Sequence, residues 1–408
     1  MRILYVAARF PWPPDRGDRL TAHALLRVLA REHTVTLLSY VDGREPPGAI
    51  AELEAMGICV ETVPLSRARS WAQAWLALPS GEPSQVAFYR SRAMREKAER
   101  LIERDRPDAL YVQLFRMAPA VEGLDHPATV LFLGDSIALN LGRALAYESW
   151  WRRAGIAWER HRVAAYEVTA AKRFREAWVV SAVDRDDLVA RGARNTRLVP
   201  HGVDESLFAV RPARAPEPRL MFLGNLSVPH NADAAEFAAC EVLPLVRRAQ
   251  PRATLWLVGA GAGRGVRALG TLPGVKVTGA VPDLAPLFAA SHVMLAPLRF
   301  STGIQNKVLE AMAASLPVVT TPNAAAGVGP LAEQLMRIAT DAPGLARAAV
   351  ELLAEPARAA EMAARARGHA RRHFSWGALG RELERVVREA SDERIADALP
   401  AARSMARE

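Results

Sequence analysis

Cysteine is nearly missing from this chain of 408 residues: Cys59 and Cys240 are the two present, far apart in sequence. That excludes a disulfide framework and a metal site built from several thiolates, and it suits a reducing compartment. No apolar run is long enough to span a bilayer. The N-terminus passes straight from Met1-Arg2 into the apolar run Ile3–Ala7, without the apolar core and small-residue cleavage site of a secretory leader, so a cytoplasmic location is expected. A nucleic-acid-binding module is not recognisable either. The glycines at 259, 261, 263 and 265 come nearest to a dinucleotide fingerprint, but they do not fit G-x-G-x-x-G and no acidic residue follows at the usual distance.

Apolar and basic residues are plentiful. Half the chain is apolar, enough for two cores, and apolar runs alternate with amphipathic stretches, which predicts an α/β fold of two domains. The formal charge of +9 and a pI near 10.1 imply anionic company such as nucleotide diphosphates or anionic lipid surfaces. Much of that excess is arginine in an Ala- and Arg-rich chain, a drift that GC-rich coding produces without function.

The most informative stretch is 293–322, VMLAPLRFSTGIQNKVLEAMAASLPVVTTP. Val293 to Leu298 is a short apolar run closed by polar residues, as for a strand buried on both faces. Ser301, Thr302 and Gly303 supply a turn and a helix N-cap, and Val308, Leu309, Met312 and Ala313 then recur along one helical face. A helix N-terminus at the carboxyl end of a parallel strand favours anions, because N–H groups without helical partners and the helix dipole both face the ligand. Lys307 and Glu310, three apart, share one face and reach the same small volume. A cation there suits a phosphate and a carboxylate suits sugar hydroxyls, although an ordinary βαβ unit with a surface Lys–Glu pair fits the same residues.

Gly303, Ile304, Lys307, Glu310, Ala311, Met312, Ala313 and Pro317-Val318-Val319 resemble the donor-site signature of retaining glycosyltransferases of the GT-B fold, family 4 in particular. The run from Gly303 to Ala313 is most similar to a bacterial subgroup associated with exosortase (PEP-CTERM) and exopolysaccharide gene clusters. The sequence departs from the pattern at Thr302, where the family usually carries a first Glu eight residues before the second; a hydroxyl stands there in place of two carboxylate oxygens. The resemblance implies two Rossmann-like, doubly wound domains facing each other across a cleft, with a nucleotide-sugar donor held mainly by the second and a glycan or lipid-linked acceptor mainly by the first. It implies glycosyl transfer with retention and no metal or other cofactor. A nucleotide-sugar epimerase and a non-catalytic nucleotide-sugar-binding protein share this scaffold and remain alternatives, the latter favoured by Thr302 and by the lack of a basic residue near Asn231.

In the first domain, placed at 1–208, Ile3–Ala7 reads as a strand followed by a Pro-stiffened loop with Gly17 and a helix from His23 to Arg31. Gly17 matches the glycine with which the resembling family faces donor phosphates and acceptor, and Asp15, Asp18 and Arg19 flank it. Trp71, Trp75 and Leu78 share one face in a helical stretch beside Arg67 and Arg69; such a stripe ordinarily packs on the core, and otherwise suits a membrane interface. The strand Ala128–Leu133 ends in Gly134-Asp135-Ser136. A carboxylate there faces the cleft of an open α/β sheet, so Asp135 is the acceptor-side candidate, a helix cap being the alternative. Residues 143–175 form a long helical stretch with Trp150, Trp151 and Trp158 among many arginines, a composition suited to an anionic lipid surface.

At the joint, Pro200, Gly202, Val203, Asp204 and Phe208 match the family's end of the first domain, and the Pro-rich stretch 209–218 reads as a linker. The second domain is placed at 219–375. There the resemblance implies donor contacts from Gly224, Asn225, Asn231, Gly259, Gly279, Val281, Asp283, Thr302, Gly303 and Ile304, beside Lys307 and Glu310. Helices are expected to fill 330–372. Residues 376–392 read as a helix crossing back to the first domain, and 393–408 as a frayed tail.

Overall fold

The computed structural model describes residues 1–14, 17–300 and 304–405. Its strands form two all-parallel sheets. The first holds β1 (Arg2–Ala7), β2 (Thr34–Val41), β3 (Ile58–Pro64), β4 (Ala109–Gln113), β5 (Thr129–Gly134), β6 (Glu176–Val179) and β7 (Thr196–Leu198), in the order β3-β2-β1-β4-β5-β6-β7. The second holds β8 (Arg219–Leu223), β9 (Thr254–Val258), β10 (Val275–Gly279), β11 (Val293–Ala296), β12 (Val318–Thr320) and β13 (Arg337–Ile338), in the order β10-β9-β8-β11-β12-β13. Central strands such as ALYVQ and VMLA are buried throughout, because helices cover both faces of a parallel sheet. In each sheet the winding reverses beside the first strand, between β1 and β4 and between β8 and β11. At such a switch point the loops on either side part, leaving a crevice at the carboxyl ends of the strands.

Two distant segments meet at the joint. Gly202 lies so close to Trp376 that a Cβ there would overlap its backbone nitrogen and its ring. The Val203 amide donates to the Phe374 carbonyl at 3.3 Å, and His201 stacks on the Trp376 ring at 5.4 Å between centroids. The Pro-rich linker is held rather than loose: Ala213 and Ala215 donate to the carbonyls of Ala289 and Ala290, and the half-buried Arg214 guanidinium reaches the Ser291 and Ser315 carbonyls. From Trp376 a helix runs back over the first domain, with Leu379, Leu383, Val386 and Ala390 buried at alternating spacings of four and three. Arg385 donates to both Glu176 oxygens at 2.8 Å, and Arg175 pairs with Glu393 at 2.8 Å.

Several expectations need correction. The first helix starts at Gly17, six residues before His23, since nothing between them breaks it. A short strand, Arg337–Ile338, interrupts the region expected to be helical; two residues are too few to show a strand's alternation. The last helix continues to Met405, past residue 393. Trp71, Trp75 and Leu78 do not pack on the core but stand exposed. Helical spacing reports a shared face, not what covers it.

Candidate active site

The switch point of the second sheet gathers most of the signature. The Asn306–Ala313 helix follows β11 and carries Lys307 inward. Its ammonium donates to Asn231 Oδ1 at 2.9 Å and to Gln305 Oε1 at 3.3 Å, and lies 5.6 Å from the Phe222 ring centroid. Burial lowers the Lys307 pKa to about 8, with Glu310 opposing the shift. Asn231 stands in the first turn of the Pro229–Phe237 helix, and its side-chain amide donates to the Asn225 carbonyl at 3.0 Å. His230 beside it is driven down to about 3 by burial and then by Lys307, so it is neutral at pH 7. Lys307 therefore brings a positive charge beside Asn231, and Arg299 brings another to the same helix, pairing with Asp233 at 2.9 Å.

Glu310 is half-buried one turn further along the same helix. Burial raises its pKa to about 7, Lys307 pulls it down, and Asp204 from the joint pushes it up. The two groups sense each other electrostatically. Ile304 is buried against the main core. Thr302 and Gly303, with Ser301 and Asp15, lie outside the described residues.

Three glycine loops close the floor of this crevice. Gly259 has φ +137, and a Cβ there would overlap the Gly224 carbonyl; Gly224 in turn has no room for a side chain beside Asn231. The Gly224 amide donates to the Val258 carbonyl and the Gly259 amide to the Gly279 carbonyl, both at 3.0 Å, which ties together the carboxyl ends of β8, β9 and β10. Val281 is partly buried against the core, whereas Asp283 is exposed and accepts from the Ala285 amide at 2.9 Å. The helices starting at Pro229 and Asn306, like several others in the molecule, have no side-chain cap bond, and the Asn231 and Val308 amides turn back to the carbonyls of Val228 and Gln305.

The switch point of the first sheet holds a second polar cluster. Asp18, in the first turn of the Gly17–Leu29 helix, accepts from Arg9 at 2.7 Å and pairs with Arg116 at 3.4 Å. Burial pushes its carboxyl up, but the two guanidinium groups more than offset this and hold it below the usual range. Gln113 at the end of β4 donates to the Asp18 carbonyl at 2.8 Å. Gly17 faces open space, with nothing within 4 Å of where a Cβ would be. Arg9, Arg116 and Gln305 were not singled out in the sequence. The signal for the two arginines is that each follows a central strand, β1 or β4, by two or three residues.

Asp135 lies apart from both clusters. Burial, then Asp184 and Glu167, push its carboxyl well above the usual range. The helix cap beside it is Ser136, whose hydroxyl accepts from the Leu139 amide at 3.1 Å.

Several solved structures share this architecture. The Anabaena protein HepE in complex with UDP-glucose superposes with a TM-score of 0.68 at 17% identity, over 95% of this chain and 100% of that one. Sucrose-phosphate synthase from Thermosynechococcus elongatus gives 0.71 at 17% identity, over 96% and 100%. WaaG, a glycosyltransferase involved in lipopolysaccharide biosynthesis, gives 0.66 at 16% identity, over 94% and 99%. Likeness at such identities is one of fold: the molecule is an α/β protein of the GT-B type, two Rossmann-like sheets facing each other across a cleft. Residues 217–355, the second sheet with its Lys307 site, match the family described as Glycosyl transferases group 1. No curated protein matches the chain.

Proposed function

We propose that the protein transfers a sugar from a nucleotide-sugar donor to a glycan or lipid-linked acceptor, with retention of anomeric configuration, in exopolysaccharide or cell-surface glycan synthesis on the cytoplasmic side of a membrane. The observation that carries this reading is the buried Lys307 ammonium, held by Asn231 and Gln305 between two helix N-termini without side-chain caps. A diphosphate placed there meets one full charge and two helix dipoles. As the bond from the anomeric carbon to the phosphate oxygen breaks, negative charge grows on the leaving diphosphate, and these groups stabilise it without help from a metal ion. Glu310, one turn along, accepts hydrogen bonds from donor hydroxyls. The glycine loops at 224, 259 and 279, with Asn225, Val281, Asp283, Thr302, Gly303 and Ile304, frame the donor. HepE is bound to UDP-glucose, which makes UDP-sugars the first donors to examine.

The acceptor belongs at the first sheet's switch point, where Arg9 and Arg116 around Asp18 suit an acceptor carrying phosphate, and where Gly17 leaves room. Asp135, the carboxylate named for the acceptor side, has its carboxyl raised above the usual range by burial and by two neighbouring carboxylates, and it lies apart from this cluster.

The test is release of nucleoside diphosphate from a panel of nucleotide sugars, with and without candidate acceptors, followed by NMR of the new anomeric bond. Acceptor-dependent release and a retained configuration are expected, with turnover persisting in EDTA. A changed sugar nucleotide formed without acceptor would mark an epimerase instead, and binding without turnover a non-catalytic protein.

A further inference from the structure

The tryptophans of the first domain are placed in two groups. Trp178 is a core residue and Trp12 is partly buried, but Trp75 is 70% exposed, Trp150 83% and Trp151 67%, with Leu76 at 79%. Trp71 and Trp158 are exposed as well. Burying a tryptophan is worth more than burying almost any other side chain, so five left in water on one domain call for a partner.

These side chains come from two helices, the second of which reaches the segment just after the first. Trp71, Trp75 and Leu76 lie on the Arg67–Leu76 helix, and Trp150, Trp151 and Trp158 on the first half of the Trp150–Lys172 helix. The buried Arg162 joins the two, donating to the carbonyls of Ala77 and Leu78 at 3.1 and 3.2 Å and to Ser84 Oγ at 3.0 Å. Glu159 completes the joint by accepting from the Ser84 amide at 2.9 Å. Of the six arginines on residues 67–78 and 149–162, Arg67 pairs with Asp42, Arg152 with Glu148 and the buried Arg162 with Glu159, while no ion pair to a carboxylate is found for Arg69, Arg153 and Arg160 among the described residues. The two stretches are thus aromatic with a modest cationic excess. The face they form is also continuous with the acceptor end of the cleft: Trp71 meets Phe88 edge-on at 5.2 Å, Phe88 meets Tyr89 at 4.9 Å, and the Arg116 guanidinium lies 5.5 Å from the Tyr89 ring.

We propose that this face docks on an anionic lipid bilayer, seating the tryptophans at the headgroup level and the arginines against lipid phosphates. Tryptophan suits that depth because its ring is apolar while its N–H needs a polar partner. Each arginine near an anionic surface adds to an attraction that salt screens within a Debye length. No helix among the described residues is long and apolar enough to cross a membrane, so the attachment is at the surface. The proposal rests on the reading of the first switch point as the acceptor site, since docking here would bring a lipid-linked acceptor to Arg116.

Co-sedimentation of the full-length protein with phosphatidylglycerol/phosphatidylcholine vesicles tests it, alongside pure phosphatidylcholine vesicles. Binding to the anionic vesicles is expected, falling steeply between low and physiological salt, with tryptophan fluorescence quenched by brominated lipid. Changing Arg152 and Arg153 to Glu should weaken binding by about tenfold or more. Changing Trp75, Trp150 and Trp151 to Ser should abolish the quenching while nucleoside diphosphate affinity, read by titration, stays unchanged. Absence of vesicle binding at low salt overturns the proposal, as does a tryptophan-dependent self-association seen in analytical ultracentrifugation without vesicle binding, which would make the face an interface between two copies. Because nucleotide affinity is read separately, failure of docking and failure of the donor site are distinguishable.

Discussion

Lys307 is protonated at neutral pH but only narrowly, since burial has brought its pKa to about 8. Nucleoside diphosphate affinity should therefore fall as pH rises through about 8 in the parent but not in Lys307→Ala, a comparison that removes the nucleotide's own titration, and titrations at pH 7 and 8.5 would show it. Glu310 has the opposite displacement, from 4.5 to about 7, so between these values the folded protein holds a proton that the unfolded chain has released. Its contribution to stability is accordingly present below about pH 4.5 and lost as pH rises to 7. Glu310→Gln removes that loss, so the variant should gain thermal stability over the parent on going from pH 5 to 7.5. The same variant should lose tenfold or more in turnover, as expected for a charged hydrogen bond of ~2 kcal/mol; unchanged kinetics in the folded variant would remove Glu310 from the site. Lys307 and Glu310 were legible because helical spacing is local. The partnership of Lys307 with Asn231 was not, since it joins residues 76 apart in the chain and depends on β11 lying beside β8. Arg9 and Arg116 were missed for the same reason: sheet order, not spacing, brings them to Asp18.

Among the elements, the glycine loops and the last helix make separate demands. Gly259→Ala forces both a φ that L side chains avoid and an overlap with the Gly224 carbonyl, and should cost about 2–3 kcal/mol, read as a lowered denaturation midpoint. Gly17→Ala meets open space and should leave stability unchanged, so any loss of turnover it causes reports on ligand approach rather than on folding. Leu383 is fully buried where the last helix lies on the first domain, and Leu383→Ala should cost ~2–5 kcal/mol. The strands were readable from their apolar runs, and the crossing helix from its amphipathic spacing. The strand at Arg337–Ile338 and the exposure of the tryptophan stripe were not, because both depend on what packs against them.

For the whole molecule, the two doubly wound sheets present their switch points to a shared cleft, one with a buried lysine and the other with two arginines around an aspartate. The joint at Gly202 and Trp376 and the returning helix hold the second domain against the first. The net charge of +9 fits anionic ligands at both ends of that cleft, but its distribution, not its sum, carries the information. The central claim is that the cleft binds a nucleoside diphosphate through Lys307. Isothermal titration of UDP and of uridine at pH 7, into the parent and into Lys307→Ala, tests it most directly. The parent should bind UDP far more tightly than uridine, and the substitution should weaken UDP by about ten- to a hundredfold, more at low salt than at high, while leaving uridine unchanged. Equal UDP affinity in the two proteins would contradict the account and leave Lys307 a buried structural lysine.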